Sequence, residues 1–188
     1  DPIEAMGVPH VEVELIVVNW ESVGFDYRLQ DGDRVAVYPV FESLDVAPAV
    51  KLREKPLRKV AFVVDVNLGR LARLLRLLGF DALFSNAYAD DEIVAISEAQ
   101  GRIVLTRDRR LLHAKAVTHG YWVRSVWPRR QVDEVVRRFD LANLIRPFSR
   151  CADCNGPIEP VAKELVADRL EPKTKKYFDV FYRCAACG

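Results

Sequence analysis

The chain lacks any hydrophobic run close to the roughly 18 apolar residues that a membrane-spanning helix requires. Its longest apolar run, around Leu15 to Val18, is far shorter. No signal-peptide pattern is visible at its N-terminal end. We therefore expect no membrane association and a location in the cytoplasm. Because the sequence begins at Asp1 rather than at Met, we expect further residues upstream.

Cysteine is missing from the first 150 residues, and all four cysteines lie in the last 38. They form two CxxC pairs, Cys151 with Cys154 and Cys184 with Cys187. Small secreted proteins spread their cysteines more evenly, whereas clustered CxxC pairs indicate a reducing compartment and a bound metal. Four thiolates suit a structural zinc ion without an open coordination position, and a pair of redox dithiols is the alternative. Since this module contains few apolar residues, we expect it to need zinc for folding.

The net charge is only +1, but the charges are unevenly distributed along the chain. Residues 1–56 carry 5 basic and 11 acidic side chains, residues 57–150 carry 17 and 10, and residues 151–188 carry 6 of each. Half of the residues are hydrophobic, which excludes a disordered chain. The excess of +7 in the middle segment favours a polyanionic partner, although ordinary variation between domains would give a similar sum.

The hydrophobic pattern changes near residue 60. Before it, residues 11–18, 27–30 and 34–40 read as strands, residues 19–22 and 31–33 as turns, residues 1–7 as the end of a helix, and residues 43–60 as a linker. After it, predicted strands over 61–64, 82–84, 102–105 and 121–126 alternate with predicted helices over 68–78, 91–100, 109–116 and 128–139. This alternation predicts an α/β domain with a parallel sheet flanked by helices.

Acidic side chains follow three of the predicted strands, at Asp65, at Asp90 and Asp91, and at Asp108. Because ligand sites form at the carboxyl ends of parallel strands, we expect these side chains to converge at one edge of the sheet. An Mg²⁺ or Mn²⁺ ion would relieve their mutual repulsion and could activate a water for attack on a phosphodiester. The alternative for each of them is capping of the helix that follows.

Arginines surround this predicted site. The candidate contacts to nucleic-acid phosphates are Arg70, Arg73 and Arg76 on the helix after Asp65, and Arg107, Arg109 and Arg110 around Asp108. The alternative for the first three is a solvated helix face. Tyr88, Tyr121 and Trp122 are candidates for base stacking, with packing in the core as the alternative.

Three stretches carry a specific pattern, and they are FVVDVNLGRLARLLRLLGFDALFSN, ADDEIVAISEAQGRIVLTRDRRLL, and CADCNGPIEP followed by CAACG. Together they resemble the Mut-seven C-terminal RNase domain family, a PIN-like nuclease fold with an appended zinc ribbon. The resemblance covers about residues 58–188 and implies a PIN-like RNase domain over 57–147 and a zinc ribbon over 148–188. It implies metal-site roles for Asp65, Asp91 and Asp108, with Asp90 as a further candidate and Thr106 orienting the Asp108 loop.

Residues 1–56 resemble the ubiquitin-like (β-grasp) domain that often precedes this RNase domain and that is similar to sulfur-carrier proteins. The matching segment is VEVELIVVNWESVGFDYRLQDGDRVAVYPVFESLDVAP. The resemblance implies that the first hairpin and most of the helix precede residue 1, and that the protein continues past Cys187. The chain runs on from Lys51 to Pro56 without a diglycine tail, so we do not expect sulfur transfer.

We therefore expect a cytoplasmic, metal-dependent ribonuclease with a structural zinc and a catalytic Mg²⁺ or Mn²⁺. Its expected partner is RNA, whether tRNA, rRNA or mRNA, and the ribosome or another large RNA assembly is a further candidate. The alternative is an RNA- or ribosome-binding factor that uses a PIN-like fold without robust nuclease activity, since a fold does not prove a function. A toxin-type nuclease is less consistent with the extra modules.

Overall fold

The computed structural model of the chain describes residues 2–39 and 60–188. The helices in this part are α1 (Pro2–Ala5), α2 (Gly69–Leu77), α3 (Asp90–Gln100), α4 (Arg109–Leu112), α5 (Pro128–Arg138) and α6 (Pro172–Tyr177). The strands are β1 (Val13–Val18), β2 (Glu21–Val23), β3 (Val35–Pro39), β4 (Ala61–Val64), β5 (Asp81–Leu83), β6 (Ile103–Thr106), β7 (Gly120–Trp122), β8 (Ile158–Val161) and β9 (Phe181–Cys184). The predicted linker over 43–60 lies outside the described residues except for residue 60. None of the described helices is long and apolar enough to cross a membrane.

The central element is a parallel sheet with the strand order β5-β4-β6-β7. Strand β4 pairs with β5 on one side and with β6 on the other. Every residue of β4 and of β6 is buried, as expected for central strands that are covered on both faces. The predicted α/β class, with a parallel sheet flanked by helices, is confirmed.

Two hydrophobic clusters sandwich the sheet because side chains alternate along each strand. Phe62 and Val64 of β4 belong to the cluster formed with α2 and α5. Val63, between them, belongs to the cluster formed with α3 and α4. Helix α2 is followed by Gly79, whose φ of 94° favours glycine, and a Cβ at this position would lie 2.1 Å from the carbonyl oxygen of Arg146.

The order of strands reverses between β4 and β6. From β4 the chain moves outward to β5, and from β6 it moves in the opposite direction to β7. In open parallel sheets, the crevice at the carboxyl ends of two such strands is the usual place for a ligand. Asp65 directly follows β4 and Thr106 ends β6, so both residues lie at this point.

The N-terminal block is a three-stranded antiparallel sheet with the order β2-β1-β3. Its small core contains Ile3, Val13, Ile16 and Val18. Val18 lies opposite Glu21, and the two residues between them, Asn19 and Trp20, have φ values of 51° and 76°. Positive φ at both positions is typical of the tight two-residue turns that join hairpin strands.

The N-terminal block contacts the parallel domain through the residues just before β1. Val11 packs in the cluster that contains Val63 and is 2% exposed. Glu12 is buried, and its Oε1 accepts a hydrogen bond of 2.8 Å from the backbone N–H of Trp122. Its Oε2 accepts a hydrogen bond of 2.7 Å from Arg124 Nη2. This contact pairs a carboxylate that would otherwise be costly to bury.

One predicted strand is absent and another ends early, and in both places side chains accept backbone N–H groups. No strand forms over 27–30, where the Asp33 carboxylate accepts the N–H of Gln30 at 2.8 Å. The strand predicted over 121–126 ends at Trp122, since Glu134 accepts the N–H groups of residues 124 and 125.

Three further boundaries differ from the prediction. Residues 21–22, predicted as part of a turn, belong to β2, because only the two residues before them form the turn. Residues 11 and 12, predicted as strand, belong to a 3-10 turn over His10–Glu12, with a hydrogen bond of 3.0 Å from Glu12 N to Pro9 O. The helix predicted over 109–116 ends at Leu112.

We predict that Glu12→Ala lowers the free energy of unfolding by about 1–3 kcal/mol, because it removes two hydrogen bonds and leaves the N–H of Trp122 unpaired. Urea denaturation followed by tryptophan fluorescence measures this. Glu21→Ala, at an exposed position of β2, is the matched control and should cost less than about 0.5 kcal/mol. Equal effects of the two substitutions would show that Glu12 does not hold the block in place.

Candidate active site and cysteine module

A chain of hydrogen bonds joins the carboxyl ends of β4 and β6. Asp65 is 3% exposed, and its Oδ2 accepts a hydrogen bond of 2.6 Å from Thr106 Oγ1. The same Oγ1 accepts the backbone N–H of Asp108 at 2.9 Å. Asp65 precedes a 3-10 turn, but its side chain makes no capping bond. Thr106 therefore links the buried carboxylate to the loop that carries Asp108.

Asp108 is paired with Arg110. The Nη2 and Nε atoms of Arg110 donate to Asp108 Oδ2 at 2.8 and 3.2 Å, and its backbone N–H donates to Oδ1 at 2.9 Å. The hydrogen bonds from the Arg110 side chain are the main reason why the pKa of Asp108 lies below its usual value. Asp108 is also the N-cap of α4, so the capping alternative holds for this residue.

Asp90 and Asp91 are the first two residues of α3, and both are exposed. Neither is the N-cap, which is Ala89, and Glu92 Oε2 accepts the N–H of Ala89 at 2.9 Å. Hydrogen bonding to Asp108 raises the pKa of Arg110, and the charge of Asp90 adds to this shift. Asp90 therefore lies within electrostatic reach of the Arg110–Asp108 pair.

These carboxylates share an edge of the sheet but do not form a closed cluster. Within residues 2–39 and 60–188, the cysteines are the one group of three or more acidic, histidine or cysteine side chains whose ligand atoms lie within 4.8 Å of one another. The carboxylates therefore lie at the same edge of the sheet, as predicted, but their oxygen atoms are not as close together as the ligands of one metal ion. Arg110 serves as the counter-ion of Asp108.

The three arginines of α2 have different roles. Arg70 and Arg73 are exposed, but Arg76 is only 5% exposed. Its Nε donates to the carbonyl of Ala82 at 2.8 Å, and its Nη1 donates to the carbonyl of Asp153 at 2.6 Å. The prediction that Arg76 binds RNA is therefore wrong, because its guanidinium is buried between the sheet and the cysteine module.

The arginines near Asp108 are all exposed, although one of them rests on an aromatic ring. The guanidinium of Arg109 lies 4.8 Å from the ring centre of Trp122, and Trp122 Nε1 donates to the carbonyl of Arg107 at 3.2 Å. Tyr121 is 7% exposed and belongs to the core cluster under α5. For Tyr121 the alternative of core packing is therefore confirmed, while Trp122 is held by its arginine neighbours.

The four cysteine sulfurs form a compact group near the C-terminal end. Cys151 Sγ lies 3.7 Å from Cys187 Sγ, and Cys154 Sγ lies 3.4 Å from Cys184 Sγ. Zinc–sulfur bonds of about 2.3 Å in a tetrahedron place sulfurs about 3.8 Å apart, so these distances fit a structural zinc. The antiparallel pair β8-β9 holds the two CxxC knuckles together, with Ile158 opposite Cys184.

A model of the Mut7-C RNAse domain matches residues 60–188, and a model of the Mut7-C ubiquitin domain matches residues 1–45. This chain belongs to the Mut7-C RNase domain family. No curated protein and no solved structure matches it significantly. Membership of a Mut7-C RNase family indicates a nuclease-like function with RNA as its substrate, as the resemblance implied.

The cysteine sulfurs of this Mut7-C protein differ in acidity. The backbone N–H groups of Cys187 and Ala186 donate to Cys184 Sγ and lower the pKa of Cys184 to about 6. Hydrogen bonds with the other thiols, first with Cys154, raise the pKa of Cys187 to about 12. A metal must therefore displace protons when it binds to the whole group.

A buried polar network fixes the cysteine module to the sheet. Asp81, the first residue of β5, accepts hydrogen bonds of 2.8 Å from Arg102 Nη1 and from Asn155 Nδ2. Asn155 Oδ1 accepts the backbone N–H of Ala82 at 3.2 Å. Burial opposes ionisation of Asp81, but the bonds from Arg102 and Asn155 outweigh it and leave its pKa below the usual value. Because Asp81 begins its strand, the module docks at the edge opposite the candidate active site.

Sequence reasoning missed this network and the exposed Trp127. Asn155 follows Cys154 directly and adopts a φ of 67°, which asparagine tolerates better than most residues. An asparagine in a turn after a CxxC motif was therefore the available signal. Trp127 stands just before the proline that opens α5, and it is 65% exposed. Arg129 and Arg130 follow it closely in the sequence, but its place beside Arg70 and Arg73 could not be read from the sequence.

We predict that Arg76→Met lowers the free energy of unfolding by about 2–4 kcal/mol, because three carbonyl groups are deprived of a charged donor. It should also speed the transfer of zinc from the loaded protein to a chromophoric chelator. Arg73→Met is the matched control, since its ion pair with Asp153 spans 3.4 Å between largely exposed side chains. Unchanged zinc transfer in Arg76→Met would contradict a mechanical link between α2 and the module.

Proposed function

We propose that this Mut7-C protein is a metal-dependent ribonuclease whose active site lies at the carboxyl ends of β4 and β6. The observation that carries this proposal is the hydrogen-bonded chain Asp65–Thr106–Asp108 at the point where the strand order reverses. An all-oxygen donor set suits Mg²⁺ or Mn²⁺. Such an ion, when bound there, would polarise the phosphodiester and lower the pKa of an attacking water.

Each group of residues at this edge has its own role in the proposed reaction. Asp65 offers a buried carboxylate whose direction is fixed by Thr106. Asp108 offers an ionised carboxylate, and Asp90 and Asp91 add negative charge from the first turn of α3. The exposed arginines hold the RNA backbone, and they are Arg70, Arg73, Arg107, Arg109 and Arg110. In this proposal the cysteine module with its zinc is structural, and the protein acts in a reducing compartment such as the cytoplasm.

A second candidate is an RNA- or ribosome-binding factor without robust nuclease activity. The observation that favours it is the close pairing of Asp108 with Arg110, which neutralises one of the carboxylates that a metal ion would need. The arginine surface would serve binding as well as cleavage. The two candidates differ in whether the carboxylates are needed, because a binding factor keeps its affinity without them.

We predict that Asp108→Asn reduces Mn²⁺- or Mg²⁺-dependent cleavage of total cellular RNA at least about 100-fold, because a neutral amide cannot replace an ionised carboxylate at a metal site. Asp133→Asn, at an exposed position of α5, is the matched control and should cleave like the native protein. RNA binding should survive both substitutions. If the native protein does not cleave RNA while all three forms bind it equally, the binding factor is the correct function.

We predict that Thr106→Val reduces cleavage about 10–100-fold, as expected when a partner that orients a ligand is removed. The hydroxyl is fully buried, so the folded fraction should be checked by circular dichroism and Thr106→Ser should restore most activity. The concentration of Mn²⁺ needed for half-maximal cleavage should rise in Thr106→Val. An unchanged metal requirement would argue against a positioning role for this hydroxyl.

A further inference from the structure

A groove lies between the N-terminal turns of α2 and α5. It has a volume of about 520 Å³ and is lined by Arg70, Arg73, Leu74, Trp127, Pro128, Arg129 and Arg130. Helices α2 and α5 follow β4 and β7, so both begin at the carboxyl edge of the parallel sheet. The groove therefore opens on the same edge as Asp65, and Arg70 is in the turn of α2 that follows this aspartate.

The lining of the groove is strongly positive. Among the described residues that line it, four are arginines and none is acidic. Within the described residues, Arg70, Arg129 and Arg130 have no ion-pair partner, and Arg73 contacts only the exposed carboxylate of Asp153 at 3.4 Å. The first turn of α5 adds the partial positive charge of a helix N-terminus. This combination attracts an anion with several charges.

The backbone at Trp127 is held in place by hydrogen bonds, although most of the residue is exposed. Its backbone N–H donates to Ser125 Oγ at 3.1 Å, and the carbonyl of Ser125 accepts a hydrogen bond of 2.9 Å from Gln131 Nε2. Gln131 is buried, and Glu134 fixes the same loop by accepting the N–H of Ser125 at 2.8 Å. The cost of ordering this part of the chain has thus been met before any ligand arrives.

We infer that this groove binds one unpaired nucleotide of single-stranded RNA, with its base stacked on Trp127 and its flanking phosphates on Arg70, Arg129 and Arg130. The inference deepens the proposed function and rests on it for the identity of RNA as the ligand. Aromatic rings stack on any base, so the groove confers a preference for unpaired RNA rather than for a sequence. In a duplex the bases are already stacked and paired, and they cannot reach the ring.

Binding should be measured with the full chain carrying Asp108→Asn, so that the RNA is not cut. The probes are a fluorescein-labelled oligoadenylate and an RNA duplex of the same length. Trp127→Ala should weaken binding of the oligoadenylate about tenfold and leave the duplex almost unchanged. Trp127→Phe should restore most of the affinity, because a smaller ring still stacks. Trp20→Ala, which removes a tryptophan that is 91% exposed elsewhere, is the control.

The arginines should behave differently from the tryptophan. Arg129→Ala combined with Arg130→Ala should weaken binding of both probes. On the single strand it should also lower the slope of log Kd against log salt by roughly 0.7 for each phosphate that the protein no longer neutralises. Arg137→Ala combined with Arg138→Ala, at the other end of α5, is the matched control. Because the groove residues are at the surface, the variants are expected to fold like the native protein.

Two results would overturn the groove inference. One is a weakening in Trp127→Ala no larger than that in Trp20→Ala, and the other is an equal weakening for single strand and duplex. Neither result depends on cleavage, since the binding assay uses an uncut probe. If RNA is cleaved but Trp127 has no effect, the groove inference falls alone. If nothing is cleaved while Trp127 still selects single strands, the ribonuclease proposal falls and the groove stands.

Discussion

The parallel pairing of β4 with β6 is the contact on which the rest of the molecule depends. It places Val63 against Val104 and Val64 against Leu105, so it supplies the centre of both hydrophobic clusters. It also sets Asp65 beside Thr106, since the register continues through a hydrogen bond of 3.0 Å from Asp65 N to Leu105 O. The same pairing thus provides packing energy and the alignment of the polar groups at its end.

The two ends of the sheet have opposite chemical characters. At the carboxyl edge, the described acidic side chains do not come together as a group of three, and Arg110 is the counter-ion of Asp108. At the amino edge, the carboxylate of Asp81 is buried and paired with Arg102 and Asn155. The buried carboxylate of Asp81 is occupied by its hydrogen-bond partners, so it fixes the position of the cysteine module and does not bind a ligand. The carboxylates at the other edge can accept one. This division explains why attachment of the cysteine module does not obstruct the candidate active site.

Much of the fold could be predicted because the central strands are continuous apolar runs and the helices have clear ends. The β4 strand and the helices α2, α3 and α5 came out within one or two residues of their predicted bounds. The cysteine cluster followed from spacing, since two CxxC pairs in one chain are typical of a metal site. Strand predictions failed where a side-chain carboxylate accepts a backbone N–H group, as those of Asp33 and Glu134 do. Such hydrogen bonds leave no periodic signal in the sequence.

The candidate site was only partly predictable for a similar reason. Its acidic residues could be located because they follow strands, but the pairing of Asp108 with Arg110 could not be read from the sequence. The row Arg70, Arg73 and Arg76 looks uniform in sequence, and only the docking of the cysteine module makes its third member buried. A sequence pattern shows which residues share a helix face. It does not show what covers the far end of that face.

The contact between Glu12 and Arg124 has a consequence for the order of events during synthesis. The two residues are separated by 112 positions. At about 5–20 residues per second, a ribosome adds Arg124 roughly 6–22 s after Glu12. The antiparallel strands β1 to β3 are synthesised well before β7, so they have no β7 to dock against during this interval. Glu12 can make its two hydrogen bonds only after Trp122 and Arg124 have been added, so the contact between the N-terminal block and the parallel domain is completed by the last strand of the sheet.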